Sequence, residues 1–433
     1  MPGVAGGWPR LRSGRRADPG GRGGVEMRIM NFLRGDTLPQ WNTWALGAVS
    51  AVSIVALAGC GPSGVRPTAA VSPTLPIEST PLAAPGVTGD NFGGGGKRIA
   101  LIVPLTQQDG PSAVGQSMRN AAELAVAEAG GGAVTVIVKD DQSSPEGARA
   151  AAQAAIAEGA DVIIGPLYAG GVREAGRVAR AAGKPMIAFS TDASTAGPGV
   201  YLLSFLVEGY VDRVLEFAAS RGKRSVAALA PETDYGNIAI AQFQQSAAAR
   251  GLRVQAIERY GRGNVTAAAQ KIGAVAGQID ALFIPEQADQ TVSVAQALTA
   301  AGVDPTRVQI LGTGLWNDTR VLRVPMLQGA WFAAPDNSGF NAYAAKYRSK
   351  FNSDPTRIST LAYDAMSLAA ALTNLQGGVT EQALTNASGF NGADGLFRFR
   401  GDGQNERGLS VLQIRSGTTT IVSPAPRSFG SGA

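Results

Sequence analysis

The feature that most constrains this chain is an alternation kept from residue 98 to residue 311: short apolar runs alternate with longer segments whose apolar residues recur at helical spacing. The first run, residues 98–105 (RIALIVPL), is apolar throughout after its arginine. A strand without polar alternation is buried on both faces, as inside a parallel sheet. Residues 112–129 then carry Val114, Met118, Ala122, Leu124 and Ala125 at helical spacing and stop at Gly130, Gly131 and Gly132. The unit recurs with strands at 133–139, 161–164 and 185–189, a helix at 145–158 capped by Ser144, and a helix at 172–182. A second series follows Ser204, with helices at 208–220, 235–250, 265–276 and 288–301 and strands at 225–229, 253–256, 281–284 and 308–311. Helices at 342–351 and 359–375 and strands at 395–400 and 408–414 close the chain. The repetition predicts an α/β protein of two lobes, about 110 residues each, in which each lobe is a doubly wound parallel sheet built from right-handed βαβ units. A cleft between them suits a small molecule. Ligands of open parallel sheets gather beyond the carboxyl ends of the strands, so residues 161–171 (DVIIGPLYAGG) mark an expected site.

Missing residue types narrow the chemistry. Among 433 residues there is no histidine and a single cysteine. Ser-His-Asp triads, Cys-His dyads, His-liganded zinc and disulfide frameworks therefore have no side chains to build them. Four of the five units of formal net positive charge arise in the first 59 residues, where Arg10, Arg12, Arg15, Arg16, Arg22, Arg28 and Arg34 face only Asp18, Glu26 and Asp36. The remainder holds 31 basic and 30 acidic residues, which leaves no basic footprint for nucleic acid. Gly96-Lys97 is no P-loop, because residue 91 is not glycine and no Ser or Thr follows Lys97. Gly312-x-Gly314 lacks the third glycine of a dinucleotide fingerprint, since Asn317 stands there. Asp140 and Asp141 are adjacent after a strand and diverge, so they read as a turn or helix cap. No metal and no cofactor is expected.

Residues 43–59 form an uncharged apolar run preceded by Arg28 and Arg34 and followed by Cys60, the architecture of a signal peptide. Leu57-Ala58-Gly59-Cys60 resembles the bacterial lipobox, which implies removal of residues 1–59 and lipidation of Cys60. Met27 or Met30 would give a leader of more ordinary length. Residues 61–96, rich in Pro, Ser, Thr and Gly, are expected to be a flexible tether. Gly61 takes the place of the aspartate that retains some lipoproteins in the inner membrane, which tilts the expected anchor toward the outer one.

Six segments carry a wider resemblance: residues 98–105, Lys139-Asp140-Asp141-Gln142-Ser143, Ile164-Gly165-Pro166-Leu167, Pro185-Met186-Ile187, Asp234-Tyr235-Gly236 and Tyr363-Asp364-Ala365. In order and spacing they resemble the leucine-binding-protein group of type I periplasmic binding proteins, over residues 97 to about 415. Residues 188–192, 196–203, 311–316, 331–336 and 394–400 are further similar to the branch described as lipoprotein activators of penicillin-binding proteins. The resemblance implies a two-lobed type I periplasmic-binding fold with three crossings between lobes: lobe one at 97–207, lobe two at 208–334, returns at 335–390 and 391–422, and a tail from 423. It implies a non-enzymatic envelope lipoprotein, with a penicillin-binding protein as partner. The alternative is the substrate-binding component of an ABC importer for amino acids or related polar solutes, with an ABC permease as partner. A carboxylate-based hydrolase using Asp192 and Glu286 is the remaining, enzymatic reading.

In amino-acid binders of that family a serine after the third strand and a loop after the fourth hold the ligand carboxylate, and an acid of lobe two holds the ammonium. Aligned with that pattern, this chain has Ala169 for the serine, Asp192 for the loop threonine and Gly314 for the acid. A zwitterion without its ammonium partner would bury an unpaired charge at a cost of several kcal/mol. The hydrogen-bonding and stacking candidates at strand ends are Thr106, Gln107, Tyr168, Ser190, Thr191 and Asp192 from lobe one, and Thr233, Tyr235, Glu286, Gln287 and Trp316 from lobe two. Tyr168, Tyr235 and Trp316 have packing at the lobe interface as their alternative role, and Asp192 and Glu286 have solvation or helix capping.

Overall fold

A computed structural model of the chain describes residues 89–261 and 263–429. The expected leader, Cys60 and the tether up to residue 88 lie outside the described residues. Among the described residues no helix is long and apolar enough to cross a membrane.

The first lobe is built on β1 (Asn91–Gly93), β2 (Lys97–Val103), β3 (Val134–Asp140), β4 (Val162–Ile164), β5 (Met186–Ala188) and β6 (Val200–Leu202). The order is β1-β3-β2-β4-β5-β6, parallel except for β1. Its helices are α1 (Ala113–Glu128), α2 (Pro145–Ala157) and α3 (Ala169–Ala181). The second sheet comprises β7 (Ser225–Pro231), β8 (Arg253–Tyr260), β9 (Ala281–Phe283), β10 (Gln309–Gly312) and β11 (Trp331–Ala334), with α4 (Val207–Ser220) before β7 and α5 (Asp234–Ala249), α6 (Val265–Val275) and α7 (Ala288–Ala300) between the strands. The chain then forms α8 (Asn337–Phe351), α9 (Ser359–Thr373), a small sheet of β12 (Phe390–Gly392), β13 (Gly395–Phe399) and β14 (Asn405–Arg407), and last β15 (Ser410–Arg415) and β16 (Thr418–Ser423). The second sheet runs β8-β7-β9-β10-β11-β15-β16, antiparallel only where β15 and β16 join.

Strand β2 shows why its apolar run is continuous. Ile99, Leu101 and Val103 enter the core shared with α1, α8 and α9, whereas Ala100 and Ile102 enter the core shared with α2 and α3. All five are 0% exposed. Each buried Ile, Leu or Val contributes about 1.5–3 kcal/mol, so a polar residue at any of them would unseat the layer it faces. Strand β7 repeats the device: Ala227 and Leu229 face α6 and α7, and Val226, Ala228 and Ala230 face α4 and α5. Helix starts are fixed locally. Ser112 Oγ accepts from Gly115 N at 3.2 Å, and Ser144 Oγ accepts from Gly147 N at 3.0 Å with Pro145 at the first helical position.

Several boundaries depart from the sequence expectation, each for a packing reason. Helix α3 opens at Ala169 rather than 172. Gly170 and Gly171 are first-turn residues that let α3 approach α2, since a Cβ would come within 3.0 Å of Pro145 and 3.1 Å of Ala148. Helix α8 opens at Asn337, five residues before the expected start; Asp336 caps it through Ser338 N, and Gly339 admits the Ala393 carbonyl, 1.9 Å from where a Cβ would sit. Within the stretch read as tether, β1 pairs with β3 (Phe92 opposite Val136), and Asp90 takes two hydrogen bonds from Arg119 at 2.7 and 3.0 Å. The segment from 391 stays with the first lobe for longer than expected. Phe397 and Phe399 sit in the first lobe's core, and the crossing comes at Gly408, after which Leu409 enters the second lobe's core.

Candidate functional site

In both sheets the first parallel strand sits between its two successors: β2 between β3 and β4, β7 between β8 and β9. Such switch points open a crevice past the strands' carboxyl ends. The loops leaving them meet at a cleft of about 1160 Å³, lined from the first lobe by Ala169, Thr191, Asp192, Phe340 and Arg357 and from the second by Tyr210, Tyr235, Asn237, Gln287 and Gly314. Phe205, from the first crossing, completes the lining where the lobes join.

The walls are mostly apolar, set with amides. Val207, Ile238, Leu315, Pro335 and Ile358 supply the apolar surface, and Asn317 Nδ2 donates to Asn337 Oδ1 at 2.8 Å across the second crossing. Burial pushes the hydroxyls of Tyr210 and Tyr235 above their usual range, so both stay protonated. Tyr235 Oη donates to the buried Thr313 Oγ1 at 2.8 Å. Arg357 has its Nη1 and Nη2 forked onto Asp394 at 2.8 and 2.6 Å. A run of ring and guanidinium contacts ties the crossings together. Arg357 Cζ lies 4.6 Å from the Phe340 centroid and 5.0 Å from that of Phe205, and Arg407 Cζ lies 4.8 Å from Phe205 and 5.6 Å from Phe397. Each such contact is worth about 0.5–2 kcal/mol.

Of the candidates taken from the sequence, Ala169, Thr191, Asp192 and Tyr235 line the cleft, as does Gln287. Asp192 is already engaged: Oδ1 accepts from the amide and hydroxyl of Ser194, and Oδ2 pairs with Arg173 at 2.5 Å. The others lie elsewhere. Thr106 and Gln107 form an exposed two-residue hairpin strand, held where Thr106 Oγ1 donates to Asp140 Oδ2 at 2.6 Å. Tyr168 precedes α3 and is 45% exposed. Ser190 is buried and accepts from Asp192 N at 3.0 Å. Glu286 is 3% exposed and turns away, accepting from Tyr260 Oη and, at 2.7 Å, from Gln287 N. Trp316 is a core residue, fully buried beneath Gly312, where an added Cβ would lie 2.3 Å from its ring. Thr233 caps α5 through Gly236 N. Glu286 and Trp316 were marked by position at a strand end, but direction decides contact, and both point into the second lobe's interior.

Sequence reading missed Arg357, Phe205, Phe340 and Tyr210. No local pattern flags them, because each reaches the cleft from a crossing or a helix remote from the strand ends. The Gly314 position has a definite physical reason. A Cβ there would lie 2.6 Å from Tyr210 Cζ, so the tyrosine ring occupies the place where the resemblance puts an ammonium-binding acid.

A family model described as periplasmic binding protein matches residues 97–419. Solved structures share the fold. One from Rhodospirillum rubrum, described as a branched-chain amino acid ABC transporter, is 18% identical, with a TM-score of 0.66 over 75% of this chain and 99% of that one. The branched-chain amino acid substrate-binding protein LivJ of Streptococcus pneumoniae, in complex with isoleucine, is 19% identical, with a TM-score of 0.54 over 76% and 99%. A solute-binding protein of an ABC transporter from Rhodopseudomonas palustris, in complex with 3,4-dihydroxybenzoic acid, is 20% identical, with a TM-score of 0.55 over 76% and 96%. No curated protein matches the chain.

Proposed function

The chain belongs to the periplasmic binding protein family, and from that premise we propose that it is a non-enzymatic, extracytoplasmic solute-binding protein that delivers a small ligand to an ABC permease. The observation that carries this reading is the cleft of about 1160 Å³ lined by both lobes at their switch points. Two sheets joined by three short crossings can rotate about them, and a ligand touching both lobes favours the closed arrangement by its differential affinity. The solved relatives include proteins holding isoleucine and 3,4-dihydroxybenzoic acid, which supports a small organic ligand. In this reading Cys60 carries a lipid, the residues after it tether the domain to the membrane, and the site groups are Thr191, Tyr235 and Gln287 with Arg357 and Tyr210. The sequence likeness to activators of penicillin-binding proteins finds no support among these solved relatives, so the importer reading displaces it.

The test is thermal unfolding of the chain from Ser79 to Ala433, one compact unit, against amino acids, organic acids, sugars and muropeptides. A ligand at 100 times its Kd adds about 2.7 kcal/mol to stability. A saturable rise in melting temperature with one chemical class is the expected result. A flat panel, together with capture of a peptidoglycan synthase, would return the activator reading.

A further inference from the structure

Arg357 is the one cationic side chain among the described residues that line the cleft. Its guanidinium is unusually well fixed. Nη1 and Nη2 donate to the two oxygens of Asp394, whose side chain is 0% exposed, and Nη1 also reaches Thr360 Oγ1 at 3.3 Å. Phe340 and Phe205 flank it. A guanidinium has five N–H groups in two forks, and these contacts use only the end fork and its neighbour. The Nε–H and the second Nη2–H have no acceptor among the described residues, and they belong to a side chain that is 35% exposed and lines the cleft. That remaining edge has the geometry of a carboxylate receptor, and the entropy of holding it is already spent on Asp394.

The surroundings say what the rest of the ligand is. The walls beside Arg357 are Val207, Ile238, Leu315, Pro335 and Ile358, which suit an apolar body. Nothing in the depth of the cleft suits an ammonium group: Tyr210 fills the space at Gly314, Asp192 is bound to Arg173 and Ser194, Glu286 points away, and Asp234 is exposed at the rim. Behind Phe205, Arg407 adds a second cation, and its buried Nη1 and Nη2 have no acceptor among the described residues. Asp364 also faces Arg407, and burial lifts its carboxyl to about 7, so below that pH Asp364 and Asp394 together do not fully offset the two guanidinium groups.

We propose that the free edge of Arg357 binds the carboxylate of a small organic acid with an apolar body, and that this site discriminates against the ammonium group of an amino acid, which would be buried there without a partner. The proposal rests on the solute-binding reading and names its ligand class. The probes are 4-methylpentanoate and 3-phenylpropanoate, their uncharged amides, and L-leucine and L-phenylalanine, which add only the ammonium group. Calorimetric titration into the chain from Ser79 to Ala433 is expected to show binding by the acids, with at least tenfold weaker binding by the amides and amino acids.

Arg357→Lys keeps a cation against Asp394 but loses the second fork. It is expected to weaken the acids about ten- to hundredfold with melting temperature retained. Should it unfold, the double variant R357L/D394N removes both charges together and is expected to bind acid and amide alike. Amides or amino acids binding as tightly as the acids, or acids binding undiminished to Arg357→Lys, would overturn the proposal while leaving solute binding intact. Silence from the acids overturns it as well. Only silence from neutral solutes, sugars and amino acids too would bring down the solute-binding reading itself.

Discussion

Tyr210 and Gly314 exclude one another's alternatives: the tyrosine ring fills the volume a side chain at 314 would need, with Cζ 2.6 Å from an ideal Cβ. Tyr210 comes from α4 and Gly314 from the loop after β10, so the contact fixes the second lobe's face of the cleft. Gly314→Asp is expected to overpack this contact and lower stability by about 1–3 kcal/mol in denaturant unfolding, without creating amino-acid binding. Combining it with Tyr210→Ala relieves the clash, and the double variant should be more stable than Gly314→Asp alone. An unchanged midpoint for the single variant would show that the ring yields freely.

The Arg357–Asp394 pair should behave as a unit. Arg357→Leu strands a carboxylate whose side chain is 0% exposed and whose remaining side-chain partner is Thr360 Oγ1, at 2.5 Å. The expected loss is about 3–5 kcal/mol. Adding Asp394→Asn removes the stranded charge and should recover most of it. A double-mutant cycle that comes out additive would mean the pair contributes nothing by being together.

Asp364 makes stability depend on pH. Burial lifts its carboxyl to about 7, against the pull of the Arg407 guanidinium and the amide of Ala393, with Asp394 adding to the rise. Tyr343 and Tyr363 also face it. The folded chain thus holds a proton that the unfolded chain releases near pH 4, so this group's contribution is full below about pH 4 and is lost as pH rises through about 7. Asp364→Asn cannot titrate. Wild type should therefore lose stability relative to this variant between pH 4 and 7, by on the order of a few kcal/mol. Parallel pH profiles for the two proteins would contradict this.

Glu286 is expected to be silent in ligand binding. Its oxygens hold Tyr260 Oη and Gln287 N at the start of α7, and it does not line the cleft. Burial raises its carboxyl pKa, so Glu286→Gln approximates its protonated form. The variant should bind ligand within about twofold of wild type and lose about 1 kcal/mol of stability at neutral pH. A loss of affinity beyond tenfold would place Glu286 at the ligand after all.

The βα succession was legible because it is written in local period. Continuous apolar runs such as 99–103 can only be buried on both faces, and caps such as Ser112 and Ser144 act within three residues. Boundaries went astray where a glycine meant close packing rather than a loop, as at Gly170, Gly171 and Gly339. Of the residues lining the cleft, Thr191, Asp192 and Tyr235 were marked by position at strand ends, and Ala169 by alignment with the family's serine. Trp316 and Glu286 satisfy the same positional rule, yet they are turned inward by packing under Gly312 and by Tyr260.

By itself the sequence determined the two-lobed α/β architecture, the place of a cleft between the strand ends, and the exclusion of histidine and disulfide chemistry. These follow from residue type and spacing along a few turns of chain. Only the tertiary structure decided which groups face the cleft. Arg357 is aimed by Asp394, 37 residues later, and by rings from α8 and the first crossing, while Gly314 is closed by Tyr210 from another helix. A side chain's direction at a strand end is set by partners that the chain brings together only on folding, and no local pattern carries that information.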